Sequence, residues 1–277
     1  GGRKHPQQEF IQIDTSNISA LEKALRVYVG KPLINSVNGS EESLSSVLPL
    51  AAKYGAMVVG LTLDENGIPE TAEARIEIAK RIIDRAAQYG IPKEDIIIDS
   101  LAMTISTSDV GALPTLNALD YIKNTMGVHT VLGVSNISFG LPNRQIINSA
   151  FFTLAMQKGL SAGIVNPMSA EMMQAYYAYN ALYAYDKGCL DYIENCSSPQ
   201  QAVSMAVKNE TIVFADDLQG AVIKGLKEKA AQKTAEMLMS KKAVEIIDGY
   251  LIPALDEVGK QFENKKLFLP QLLLAAQ

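Results

Sequence analysis

Six places in this sequence put an acid or a carboxamide directly after a short apolar run: Asp14, Asn35 with Asn38, Asp64 with Glu65, Asp99, Asn136 and Asn166. A carboxylate accepts two parallel N–H bonds, and a carboxamide donates or accepts. Together they suit a neutral, planar, donor-rich heterocycle such as one with an amino-pyrimidinone edge. They do not suit a phosphate, and neither GxGxxG nor GxxxxGK[ST] occurs. The competing explanation is local, because Asp and Asn are also good turn and helix-cap residues. Capping alone would use Ser, Thr and Gly as freely, so the recurrence favours a shared site.

The runs that must position these residues are Ile11–Ile13, Pro32–Val37, Ala56–Leu63, Ile96–Ile98, Val128–Val134 and Ser161–Val165. Most are continuously apolar or small rather than alternating, which is the pattern of strands covered on both faces in a parallel sheet. The segments between them read as helices. Over Thr71–Gln88, Ile76, Ala79, Ile82, Ile83 and Ala86 recur at helical steps, while Glu73, Glu77, Lys80, Arg81 and Asp84 take the other face. Gly90-Ile91-Pro92 stops that helix, and Ser40 caps the helix after the second strand with Glu41 and Glu42 in its first turn. Alternating βα units send every strand the same way, so the polar tips gather at the carboxyl edge, where such folds build sites. Six units fit either an open doubly wound sheet or a barrel lacking two of its eight. His129 begins a strand and so belongs to the opposite edge, in a structural role.

After Asn166 the character changes. Met168–Tyr185 is rich in Ala, Met and Tyr, and Ser198-Pro199-Gln200-Gln201 is a helix start. Asp216–Ser240, Ala243–Phe262 and Leu267–Ala276 read as three helices. This predicts a (β/α) domain over 1–197 and a small, partial α-helical bundle over 198–277. The 30 acidic and 25 basic residues give a net charge of −5, which argues against a nucleic-acid partner. No apolar run approaches the ~20 residues that span a bilayer, and the N-terminus lacks a signal peptide's apolar stretch. Cys189 and Cys196, with His5 and His129 remote in sequence, do not form a zinc pattern. They read as incidental thiols of a cytoplasmic protein, and no metal site is expected.

Longer motifs carry a resemblance. Gln12-Ile13-Asp14-Thr15-Ser16, Pro32–Gly39, Leu61–Pro69, Ile98-Asp99-Ser100-Leu101 and Gly133–Pro142 resemble the pterin-binding barrel of cobalamin-dependent methionine synthases. The likeness covers nearly all of residues 11–190. Leu251–Gly259, Phe262 and Lys266–Gln271 resemble the same family's helical cap over cobalamin. The resemblance implies a TIM-like (β/α)8 pterin-binding barrel without its first two strands, followed by a truncated cap. It implies a methyltransferase that moves the methyl group of N5-methyltetrahydrofolate to cob(I)alamin. In that likeness Asp14, Asn35 and Asp99 hydrogen-bond the pterin, Asn136 sits at N5, and Asn166 lines the same pocket. Arg144 either contacts the pterin or its glutamate tail or pairs with a helix. Phe262 and Leu269 match the family's apolar pair over the corrin, although seven positions is also ordinary helix-core spacing.

The chain departs from the full enzyme. It lacks the zinc-bearing homocysteine module and the Rossmann-like cobalamin domain with its Asp-x-His-x-x-Gly loop, so those modules are the expected partners and the chain reads as a fragment. Other readings are a non-catalytic folate-binding fragment, a folate:corrinoid methyltransferase without a cap, and a dihydropteroate synthase-like enzyme. The last needs basic residues at the final strand, where this chain has Ile164-Val165-Asn166-Pro167.

Overall fold

A computed structural model describes residues 12–196, 217–264, 267 and 269–277. The chain divides into two compact units, Gly1–Ala175 and Tyr176–Gln277. The boundary expected at 197/198 and the helix start at Ser198 lie outside the described residues.

The first unit is a six-stranded, wholly parallel sheet in sequence order: β1 (Gln12–Asp14), β2 (Leu33–Asn38), β3 (Met57–Leu61), β4 (Ile96–Asp99), β5 (His129–Gly133) and β6 (Ala162–Ile164). The helices α1 (Ile18–Val27), α2 (Glu41–Tyr54), α3 (Ala72–Gln88), α4 (Leu113–Asp120) and α5 (Arg144–Gln157) alternate with the strands. Strictly ordered parallel strands with helices between them form a partial TIM-like barrel, which decides between the two architectures the alternation left open and agrees with the resemblance. The caps follow the sequence: Ser40 Oγ accepts from Ser43 N, and Thr71 Oγ1 from Ala74 N.

Side-chain alternation divides the sheet into two faces. Ile34, Val58, Ile96 and Ile98 are at most 1% exposed and pack on the helix side. They meet Leu44, Leu48 and Ala51 of α2 and Ala79, Ile82 and Ala86 of α3. Each such aliphatic side chain contributes about 1.5–3 kcal/mol. The register places Asp14 beside Asn35 on the opposite face, and Asp99 beside Leu61 and Val131. At Asn35 the β2–β3 register shifts, so that Asn35 pairs with Val59 and Val37 with Gly60. This returns Val37 to the helix-side core, where it is fully buried.

In the second unit, α6 (Ala170–Leu182) crosses in from the first and α7 (Leu190–Cys196) follows it. Asp186, buried, accepts from Asp191 N and Tyr192 N at the start of α7. Five further helices are described: α8 (Leu218–Ile223), α9 (Lys227–Leu238), α10 (Ala243–Ile246), α11 (Ile252–Glu263) and α12 (Leu269–Ala276). The single helix expected over Asp216–Ser240 is in fact two. The chain breaks at Gly225, where φ is +65°. The stretch Ala243–Phe262 is helical throughout, as expected, with α10 passing into α11 through a wider π-turn over Ile247–Leu251. Pro253 has no N–H for the carbonyl of Gly249, and Gln219 Nε2 donates to that oxygen instead, at 3.2 Å.

A Cβ on Gly225 would stand 2.9 Å from Leu274 Cβ, on a left-handed backbone. Gly225→Ala is therefore expected to destabilise the helical unit by about 1–3 kcal/mol. Urea unfolding followed by circular dichroism checks this, and an unchanged midpoint would show that the break tolerates a side chain.

Candidate functional site

Because all six strands run parallel, their carboxyl ends share one edge of the sheet. Asp14 closes β1 and Asn35 lies beside it in register on β2, with Asn35 Nδ2 donating to Asp14 Oδ2 at 3.1 Å. The two residues line a cavity of about 370 Å³ together with Thr15, Ser36 and Ser43. The amide N–H of Asn35 thus orients the carboxylate, whose other oxygen is available to a ligand.

Asp99 ends β4 and is only 8% exposed. Leu101 N donates to its Oδ1 at 2.8 Å, from a residue held at φ +60°. Burial pushes the Asp99 carboxyl up to about 6, against the opposing pull of the Leu101 N–H and of the Arg75 charge. A buried acid whose charged form has one fixed donor and one free oxygen is suited to accept N–H groups from a ligand.

Asn136 lies exposed in the short 3-10 turn Val134–Ser138 that follows β5. Its carboxamide folds over Gly133, where a Cβ would stand 3.2 Å from Asn136 Nδ2. No side-chain hydrogen bond holds that amide among the described residues. Arg144, at the start of α5, does not reach outward. Its Nη2 donates to Ser135 O at 2.7 Å, its Nε to Ser138 Oγ at 3.0 Å, and its guanidinium lies 5.8 Å from the Phe139 ring. Arg144 therefore clamps the turn that carries Asn136. The loop after β4 reaches the same turn, since Thr104 Oγ1 and Ser106 Oγ both donate to Phe139 O.

Three other tips serve local geometry. Asn38 Oδ1 accepts from Ser40 N and Ser40 Oγ. Asp64 accepts from Asn66 N and from Arg81 on α3. Asn166 Oδ1 accepts from Met168 N at the entry to α6. His129 opens β5, exposed, at the amino edge.

Sequence reasoning missed Arg75. It is 3% exposed on α3 and donates to Pro69 O, Ser100 O, Leu101 O and Thr115 Oγ1. The signal was there, because Arg75 stands on the buried stripe of Ala72, Ala79, Ile82 and Ala86, where a cation must have a reason.

In the helical unit, Ile252, Leu255, Gly259 and Phe262 recur at steps of three and four along α11, with Ile252 47%, Leu255 42% and Phe262 38% exposed. Ala254 and Val258 take the buried face. The Leu269 side chain lies outside the described residues. Cys189 and Cys196 are free and half-buried. No described helix is long and apolar enough to cross a membrane.

The sequence profile of pterin binding enzymes matches residues 4–166, and that of a B12 binding domain matches residues 215–277. The chain is 31% identical to the methionine synthase of Mycobacterium leprae over 96% of its own length and 24% of that protein's. It is 34% identical to the methylcorrinoid:tetrahydrofolate methyltransferase of Eubacterium limosum, over 61% of this chain and 64% of that one. In fold it is similar to the dihydropteroate synthase of Yersinia pestis, with a TM-score of 0.52, 19% identity, and coverage of 63% of this chain and 72% of that one. The chain thus spans about a quarter of the methionine synthase and under two thirds of the corrinoid enzyme.

Proposed function

The chain belongs to the pterin binding enzyme family, and from that premise we propose that it binds N5-methyltetrahydrofolate and gives up its methyl group to cob(I)alamin, as one part of a methionine synthase. The observation that carries the reading is a buried Asp99 on the same sheet edge and face as the Asp14–Asn35 pair. In this reading the three residues hold the amino-pyrimidinone edge through N–H donors of the ligand. Asn136 faces N5. The methyl group leaves a nitrogen that carries a proton, so the departing N5 is a neutral amine. The Asn136 carbonyl, accepting from that N–H, stabilises the positive charge borne there.

The exposed apolar stripe Ile252–Leu255–Gly259–Phe262 supports a corrin contact in the helical unit, because it offers a flat apolar strip with open space over Gly259. Cobalamin, when bound there, supplies the cobalt(I) nucleophile that takes the methyl group. A homocysteine module and a cobalamin-binding module would be its partners.

Calorimetric titration of the full chain with methyltetrahydrofolate tests the reading. Stoichiometric binding is expected, followed by single-turnover methyl transfer to added cob(I)alamin. Condensation of 4-aminobenzoate with a dihydropterin diphosphate, or no binding of methyltetrahydrofolate, would overturn it.

A further inference from the structure

Arg75 is a fully buried cation, and among the described residues no carboxylate lies within ion-pairing distance of it. Its partners are all neutral oxygens: Pro69 O at 2.8 Å, and Ser100 O, Leu101 O and Thr115 Oγ1 at 2.9 Å each. Burying a charge among neutral acceptors is costly, and burial duly lowers the Arg75 pKa. A fold that needed only donors here could use a neutral side chain. What the positive charge adds is its effect on the Asp99 carboxylate, whose charged form it favours.

The connection is also mechanical. Ser100 and Leu101 immediately follow Asp99, and both of their carbonyls end on Arg75 Nη1. Thr115 Oγ1 donates to Leu101 O as well, which ties α4 to the same turn. Leu101 is thereby kept in its left-handed conformation, with its N–H on Asp99 Oδ1. We propose that Arg75 is a positioning residue of the pterin site, which fixes the Ser100–Leu101 turn and keeps the Asp99 carboxylate aimed and charged for the ligand. The inference rests on the pterin reading of Asp99.

The surroundings of Asp99 leave Arg75 as the controlling charge. Its register neighbours Leu61 on β3 and Val131 on β5 are apolar, and residues 100–107 contain no titratable side chain. On the neighbouring elements Asp64 faces Arg81, and Asp120 of α4 faces Lys158.

The test is the pH dependence of methyltetrahydrofolate affinity in the full chain, compared between variants so that titration of the ligand itself cancels. Arg75→Met is expected to move the acid limb of binding upward by about one pH unit. Arg75→Lys keeps a cation without the guanidinium fork, and is expected to leave the limb in place while weakening binding about tenfold at every pH. A limb that stays put in Arg75→Met, or unchanged affinity in Arg75→Lys, would overturn the inference. If Arg75→Met does not fold, the lysine variant alone decides. Asp99→Asn separates this from the parent reading: unchanged affinity there removes the pterin assignment, whereas loss of affinity there with no effect at Arg75 removes only the role of Arg75.

Discussion

Asp99→Asn is expected to raise the stability of the protein near pH 8 and to weaken methyltetrahydrofolate binding in the same buffer. The folded-state pKa of Asp99 is raised, to about 6 from 3.8. Between those values the folded protein holds a proton that the unfolded chain has released, so the contribution of Asp99 to stability is lost as pH rises through that window. Above it the folded protein carries a buried charge, at a cost of about 1–3 kcal/mol. Asn keeps an oxygen for the Leu101 N–H and removes the charge, so the gain appears at pH 8 and vanishes near pH 4. Ligand affinity moves the other way, because an amide N–H replaces an acceptor opposite the ligand's donors. That mismatch costs about 1.5–3 kcal/mol, or roughly 10- to 100-fold in Kd. Urea unfolding at both pH values, with calorimetry at the higher, checks both halves. Equal stability changes at pH 4 and pH 8 would show that the charge of Asp99 is not strained by burial.

Asn136→Ala separates recognition from reaction. Asn136 lies exposed in the turn after β5, outside the strand register that carries Asp14, Asn35 and Asp99. Its removal should leave methyltetrahydrofolate affinity within a few-fold, while single-turnover transfer to added cob(I)alamin slows by about 100-fold or more. An equal loss in affinity and rate would make Asn136 a binding group only.

The central strands were legible because a largely covered strand is mostly apolar, as in Ile96–Ile98 and in Val131–Val134. With the strands parallel, the shared edge of Asp14, Asn35 and Asp99 follows. What spacing could not separate was the ligand-facing acceptor from the turn acceptor. Asp64, Asn38, Asn166 and Asp99 each accept the backbone N–H two residues on, so the turn contact is common to all four, and only burial sets Asp99 apart. In sequence Arg144 stands between a ligand contact and a helix pairing because its acceptors, Ser135 O and Ser138 Oγ, come together only when the turn folds. Arg75 was hidden in a helix whose other charges are solvated. The break at Gly225 was missed because a lone glycine within helical periodicity is equally a weak helix residue or a left-handed corner, and packing against Leu274 selects the corner.

The shared oxygen of Phe139, which takes hydrogen bonds from Thr104 and Ser106, has a consequence for how such a protein can change. One peptide carbonyl latches the segment downstream of Asp99 to the turn bearing Asn136. Altered residues on either side would shift both, so the evolution of ligand preference and of turnover is yoked at this point, and substitutions there would not combine as independent increments.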